Sequence, residues 1–479
     1  MDKFKGDALH TDLYQINMGY IYFKDNIHER QSYFDVYFRK IPFGGGYAVF
    51  AGLAKIIDYL NSFEFTKSDI EYLRELGYEE DYLAYLEKLK FTGSIRSVRE
   101  GEVIFANEPL IRIEAPLIQA QIIETAILNI VNYQILIATK AARIKHICKD
   151  EACLEFGTRR AHEFDAAIWG ARAAIIGGFD GTSNVKAAKI FNLPCSGTHA
   201  HAFVQAYQDE RLAFKKYAEH QKDCVFLVDT YDTLNSGVKN AISVASEMGD
   251  KINFIGIRLD SGDIAYLSKE ARKMLDNAGF KNAKIVASND LDEATITHLK
   301  QEGAKVDVWG IGTKLITAYE NPALGAVYKM VCLEDENGKL IDRLKISENP
   351  AKLTTPGRKK VYRIINKKTN MAAGDYIALE DENIENEKSI KLFHPTHTYL
   401  SKKVDDFEAK DLHVDIFKDG VQVYNVPSVK ESSNYFLENK NKLWEEYQRL
   451  LNPEFYPVDL SYKCWQNRNK ILEKIKEKQ

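Results

Sequence analysis

Several short segments in the middle of this 479-residue chain combine glycines, hydroxyls, arginines and carboxylates in ways that suit phosphate and sugar chemistry. In Gly310-Ile-Gly-Thr-Lys314 the glycines let the backbone approach an anion, so exposed N–H groups can bind phosphate oxygens. Thr313 would add a hydroxyl and Lys314 a charge, although an ordinary turn between strand and helix explains the same residues. Gly177-Gly-Phe-Asp-Gly-Thr-Ser-Asn184 offers a further glycine-rich cradle, or a helix cap from Ser183 or Asn184. Arg159 and Arg160 carry planar forks that bond carboxylate or phosphate bidentately. Neighbours on a strand end point to opposite sides, so one is expected at a ligand and the other in a structural ion pair.

Asp260 and Asp263 flank Ser261-Gly262, just after Arg258. A carboxylate there can hold Mg²⁺ on a pyrophosphate or bond a ribose hydroxyl. Capping of the next helix is the competing role, and for Asp263 it is preferred. His199 and His201 stand two apart in Thr198-His-Ala-His201. That spacing could bind metal, but no cluster of further ligands accompanies it. Imidazole can also accept a phosphoryl group; a core or loop histidine is the plain alternative.

The elements that must position these residues follow from the hydrophobic pattern. From about residue 151, short apolar strands alternate with amphipathic helices. The strands are Cys153–Phe156, a piece near Leu193–Ser196, Val225–Asp229, Asn253–Asp260, Lys284–Ser288 and Val306–Ile311. Helices fall between them, among them Val185–Phe191, Ser261–Ala278 and Leu291–Glu302. Near-continuous apolar strands separated by helices predict a parallel sheet, complete or incomplete as a barrel. Nearly every strand runs into one of the polar segments, including Asp229-Thr-Tyr-Asp232 and Ser288-Asn-Asp-Leu-Asp292. Ligands of parallel α/β folds bind at the carboxyl ends of strands, so the segments are expected to converge on one site.

The flanking regions read differently. Thr11–Phe23 is a predicted helix, Ser32–Arg39 an aromatic-rich strand, and Asn61–Leu89 a charged helical stretch. Gly101–Pro116 holds two short strands around the turn Asn107-Glu-Pro109. Beyond about residue 335, Lys359–Asn366 and Asp375–Leu379 are predicted strands that would complete the first region's sheet, and Lys463–Lys478 is a predicted final helix. The expected domains are an N-terminal α/β domain over 1–140, completed by 345–395, an α/β barrel over 141–344, and a C-terminal extension over 396–479.

Composition narrows the class. Hydrophobic residues at 45% and charged residues at 28% suit a globular protein with a real core. A net charge of −4 and a pI near 6.3 argue against a nucleic-acid partner, without excluding a basic pocket for phosphates. Six cysteines without a Cys-x-x-Cys pair point away from structural zinc and towards reduced thiols in the cytoplasm. The N-terminus shows no secretory apolar core, and the apolar run Leu117–Ala142 is broken by polar residues as in a buried helix, so no membrane partner is expected.

Taken in order, these segments closely resemble the nicotinate phosphoribosyltransferase family. The resemblance runs from Leu9-His-Thr-Asp-Leu-Tyr-Gln15 and Phe38-Arg-Lys-Ile-Pro-Phe-Gly-Gly-Gly-Tyr47 through Glu155-Phe-Gly-Thr-Arg-Arg160 and the central motifs. It ends at Pro356-Gly-Arg-Lys359 and Tyr456-Pro-Val-Asp-Leu-Ser461, so it spans nearly the whole chain. It implies an irregular (β/α) barrel of the type II phosphoribosyltransferase kind, with an N-terminal α/β domain and a C-terminal extension. It also implies synthesis of nicotinate mononucleotide and pyrophosphate from nicotinate and phosphoribosyl pyrophosphate, the entry of nicotinate into NAD salvage, with ATP hydrolysis coupled through a phosphohistidine.

The family's phosphorylated histidine maps to His201, and His199 receives no catalytic role. The nicotinate contacts map to Tyr14, Thr198 and Arg258, and a contact to the phosphoribosyl phosphate maps to Thr313. The small residue after the motif histidine is often serine in the family; here it is Ala202, which removes a hydroxyl but not the nucleophile. The full expected set adds Asp260 as a catalytic residue ordering Mg²⁺ or ribose. Arg159, Arg160, Asn289, Gly310 and Gly312 are further substrate-binding positions. Mg²⁺ is the expected cofactor and ATP a co-substrate. Tyr14 lies far from the barrel in sequence, so it is expected to reach the pyridine ring across a homodimer. The competing readings are a quinolinate or nicotinamide phosphoribosyltransferase, and a non-catalytic nucleotide-binding protein on the same fold.

Overall fold

The computed structural model describes residues 8–346 and 353–477. The first seven residues, part of the 345–395 segment and Lys478 lie outside them. The chain divides into two compact units, Met1–Leu136 with Ala323–Gln479, and Ile137–Pro322.

The second unit is built on a six-stranded parallel sheet, a half-barrel. In chain order its strands are β1 (Ala152–Glu155), β2 (Gly181–Thr182), β3 (Asp223–Leu227), β4 (Asn253–Leu259), β5 (Lys284–Ser288) and β6 (Val308–Ile311). Their spatial order is β2-β1-β6-β5-β4-β3. The expected strand near Leu193–Ser196 reduces to one bridge between Thr182 and Cys195. Helices return the chain between strands, with polar caps at their starts. Asp263 accepts from Tyr266 N at 2.9 Å to open the helix Ile264–Asn277, whose Ile264, Ala265, Ser268, Ala271 and Leu275 form the buried stripe. Asn184 opens Val185–Phe191 in the same way through Ala187 N. Asp263 and Asn184 are therefore caps, the plainer of their two expected roles.

The first unit contains a seven-stranded sheet in which Gln31–Tyr37 is an interior strand, paired antiparallel with Ile111–Pro116 and Val327–Glu334. This corrects one expectation. Lys359–Asn366 and Ala372–Leu379 do not join that sheet. They pair with each other and with Phe407–Asp411 and Val458–Leu460 in a separate four-stranded sheet. The first sheet is instead extended by Val327–Glu334 and by His413–Lys418, which the sequence reading placed in the barrel and in the C-terminal extension. Pairing partners depend on distant residues, and a strand's own residues do not name them.

The stretch Asn61–Leu89 holds two helices, Lys67–Glu75 and Glu80–Lys88, separated at Gly77, whose φ of +93° ends the first. The helical run Leu117–Cys148 is long and apolar enough to cross a membrane by length and composition, and 67% of its most apolar window is buried within the fold. All six cysteines are free thiols.

Candidate active site

The carboxyl ends of β4, β5 and β3 bring one polar cluster together. Register places Ser288 of β5 beside Gly310 of β6, and Val286 of β5 beside Arg258 of β4. A side chain at Gly310 would place its Cβ 2.6 Å from the Phe156 ring, so only glycine fits this crossing of strand tips.

His201 begins the short helix His201–Gln205 and is partly exposed. Its Nδ1 lies 3.1 Å from Thr230 Oγ1, just beyond β3. Its Nε2 lies 3.7 Å from Asp260 Oδ2, just beyond β4. The other oxygen of Asp260 accepts a short hydrogen bond from Ser288 Oγ. The backbone of Asp260 and the hydroxyl of Ser261 both donate to Asp229 Oδ2, at 2.9 and 2.6 Å. Asp229 Oδ1 is buried without a protein partner. The imidazole thus stands with its two nitrogens facing a hydroxyl and a carboxylate, each from a different strand tip.

Arg258 completes the cluster. Its Nη1 donates to Thr198 Oγ1 at 2.5 Å, and its Nε is buried without a partner. Burial lowers its pKa; Asp260 and Asp229 oppose that shift, and the charge of Arg159 reinforces it. A guanidinium with an unused, water-excluded donor is suited to a planar carboxylate or a phosphate.

The remaining expected positions are more scattered. Arg159 and Arg160 are both exposed, in a turn rather than on the strand, and neither makes an ion pair among the described residues, so the expected structural pair is absent there. Asn289 is exposed at φ +94°, while Gly312 and Thr313 are partly buried where β6 turns into the four-residue helix Thr313–Ile316. The charge of Lys314 is taken by Asp292 at 2.5 Å. His199 is buried among Phe203, Phe214 and Tyr217, and its Nε2 accepts from Leu227 N at 3.3 Å. Burial pushes its pKa down to about 4, which fits a neutral packing residue. Tyr14 belongs to the first unit, on the helix Leu13–Lys24, and is 48% exposed.

Sequence reasoning gave no individual role to Asp229, Thr230 or Ser288, although each stood inside a segment it marked as a strand end. It also missed Glu155, which is fully buried and accepts from Gly157 N and, at 2.6 Å, from Thr182 Oγ1. Burial raises the pKa of Glu155, with both hydrogen bonds opposing. Glu155 ties β1, β2 and the arginine turn together. Among the described residues, no group of three or more His, Cys, Asp or Glu side chains is arranged to hold a metal ion.

Comparison with known proteins shows the family. Residues 9–132 match the nicotinate phosphoribosyltransferase N-terminal domain, 152–352 the nicotinate phosphoribosyltransferase family, and 358–468 its C-terminal domain. A nicotinate phosphoribosyltransferase of Bacillus subtilis is 63% identical over 478 residues, covering 99% of this chain and 97% of that protein. One from Dictyostelium discoideum is 37% identical, covering 94% and 86%. The crystal structure of human nicotinic acid phosphoribosyltransferase superposes with a TM-score of 0.86 at 27% identity, covering 96% of this chain and 99% of that one. Three domain matches in order, full-length relatives and a shared fold carry one conclusion: this chain belongs to the nicotinate phosphoribosyltransferase family.

Proposed function

We propose that the cluster joins nicotinate to phosphoribosyl pyrophosphate, and that ATP turnover is coupled to this transfer by a phosphoryl group carried on His201. The observation that carries the proposal is the placement of His201 between Thr230 and Asp260, at the same strand ends as the half-satisfied Arg258. Arg258 and Thr198 bind the nicotinate carboxylate, which excludes the amide by leaving a buried cation unpaired. The ring nitrogen then faces the ribose carbon, which passes through an oxocarbenium-like state as the carbon–oxygen bond to pyrophosphate breaks and the carbon–nitrogen bond forms.

Asp260 orders the ribose and faces the imidazole, and Ser288 and Asp229 hold its carboxylate and backbone. Asp260 and the unpartnered oxygen of Asp229 are hard oxygen donors that fit Mg²⁺, which usually takes one or two carboxylates and fills its remaining positions with phosphate oxygens and water. When bound, Mg²⁺ neutralises charge on the leaving pyrophosphate. Gly310, Gly312, Thr313 and Asn289, with Arg159 and Arg160, surround the phosphates. Tyr14 stacks on the pyridine from the partner subunit of a homodimer, a role suited to an exposed ring. Six free thiols suit reaction in the cytoplasm.

Product analysis tests this reading. The chain, given phosphoribosyl pyrophosphate, Mg²⁺ and one pyridine at a time, should form mononucleotide and pyrophosphate from nicotinate, faster with ATP. Equal turnover of nicotinamide or quinolinate, or indifference to ATP, would overturn it.

A further inference from the structure

A cavity of about 840 Å³ opens within the first unit, and every residue lining it belongs to that unit. Pockets of roughly 300–1,000 Å³ hold small-molecule and cofactor ligands. Its walls combine three kinds of surface.

One wall is aromatic. Phe105 and Tyr456 stack with ring centroids 3.7 Å apart and planes 7° from parallel, and Trp465 lies on the same cavity. A second wall donates hydrogen bonds. Arg468 is 8% exposed; its Nη2 bonds the Pro395 carbonyl at 2.7 Å, and its Nε is buried without a partner. Among the described residues no carboxylate pairs with it. His394 lies beside it, and its Nδ1 accepts from the backbone N–H groups of Thr396 at 3.2 Å and His397 at 2.9 Å. The ring hydrogen must then sit on Nε2, which makes that nitrogen a donor. Burial and the neighbouring His397 and Arg468 lower the pKa of His394, so the neutral ring is the form present at pH 7.

A third wall accepts. Asp35 is buried on the interior strand Gln31–Tyr37 of the first sheet, with Oδ2 bonded to Lys359 Nζ at 2.8 Å and Oδ1 without a partner. Lys359 is itself used up by the carbonyls of Thr355 and Gly357, at 2.7 and 2.6 Å, so its part is to hold Asp35 in place.

Buried polar groups are nearly always satisfied, and each one left alone costs on the order of 1–3 kcal/mol. Here Arg468, His394 and Asp35, which between them keep an unused guanidinium donor, an imidazole donor and an unused carboxylate oxygen, line one cavity with stacked rings. We propose that this cavity is a second binding site, for a nucleoside monophosphate. The base lies against the aromatic wall, the phosphate takes Arg468 and His394, and a ribose hydroxyl donates to Asp35. None of these residues belongs to the unit that carries His201.

Calorimetric titration of the full chain with adenosine monophosphate tests the proposal, with nicotinate turnover measured in parallel. Arg468→Gln should weaken binding by at least about tenfold while turnover is unchanged. Thr396 lies exposed at the rim of the cavity, so Thr396→Trp narrows the mouth without disturbing a buried group and should weaken binding similarly. Wild-type chain that takes up no adenosine monophosphate at millimolar concentration overturns the site. So does a Thr396→Trp variant that binds like wild type, whatever Arg468→Gln does.

Discussion

Two arginines, one from each unit, show what separates a cation held by the fold from one with a donor to spare. Arg363, in the four-stranded sheet of the first unit, is 1% exposed and fully engaged. It makes a two-pronged pair with Asp375 at 2.9 and 2.7 Å, a bond to Glu102 at 2.5 Å and a bond to the Val103 carbonyl at 2.7 Å. The two carboxylates hold its pKa well above the ordinary arginine value despite complete burial. Arg258, at the strand tips of the second unit, is also largely enclosed, but it has one hydroxyl partner and an idle Nε, and burial lowers its pKa. The first cation is paid in full by its own fold; the second is left short by one anion. A largely buried guanidinium with an idle donor has room for an added anion, which is the role proposed above for the second arginine.

The contrast can be broken by exchanging the readouts. Arg363→Met should destabilise the chain by about 3–5 kcal/mol, because it strands Asp375 and Glu102 in the interior. Urea unfolding measures this, and a loss under about 1 kcal/mol would mean that the network adds little. Turnover per folded molecule should not change. Arg258→Ala should do the reverse. Unfolding should shift little, while kcat/KM for nicotinate falls roughly 10- to 100-fold, the worth of a hydrogen bond to a charged group. Preference over nicotinamide should shrink with it, and an unaltered preference would remove Arg258 from carboxylate recognition.

The neighbouring histidines sharpen the same point more gently. His199 has a folded pKa near 4 against an ordinary 6.5, so the unfolded chain binds the extra proton between those values. Stability from this group is therefore complete above pH 6.5 and is lost as pH falls towards 4. Acidifying from pH 7 to 5 should cost about 2 kcal/mol through His199 alone. A His199→Gln variant should show a flatter pH dependence in that window. The same slope in both proteins would contradict the assignment.

Much of this was legible in the sequence because β-strand ends announce themselves. Arg258 and Asp260 sit where an apolar run gives way to hydroxyl, glycine and charge, and parallel topology sets that end beside its neighbours, whereas the roles expected of Thr198 and His201 come from the family resemblance, because the strand expected before them shrinks to one bridge. The cap at Asp263 was readable from its position before an amphipathic helix. What could not be read depends on contacts remote in sequence. Glu155 and Thr182 form one hydrogen-bonded unit across 27 positions, on a strand of two residues too short to leave a pattern. The strand His413–Lys418 looks no different from its neighbours, yet it pairs with Ser94–Val98, over 300 residues earlier. Lys314 beside two glycines fits a phosphate site or an ordinary turn equally, and its pairing with Asp292, which follows the preceding strand, is invisible in the local sequence.

The proposed transfer of ATP's terminal phosphoryl group to the imidazole of His201 can be measured directly. Incubation with ATP labelled in its terminal phosphate should leave an acid-labile label on the wild-type chain and none on His201→Ala. That variant should lose ATP stimulation while retaining slow, ATP-independent formation of nicotinate mononucleotide. Full ATP stimulation in His201→Ala would contradict the account.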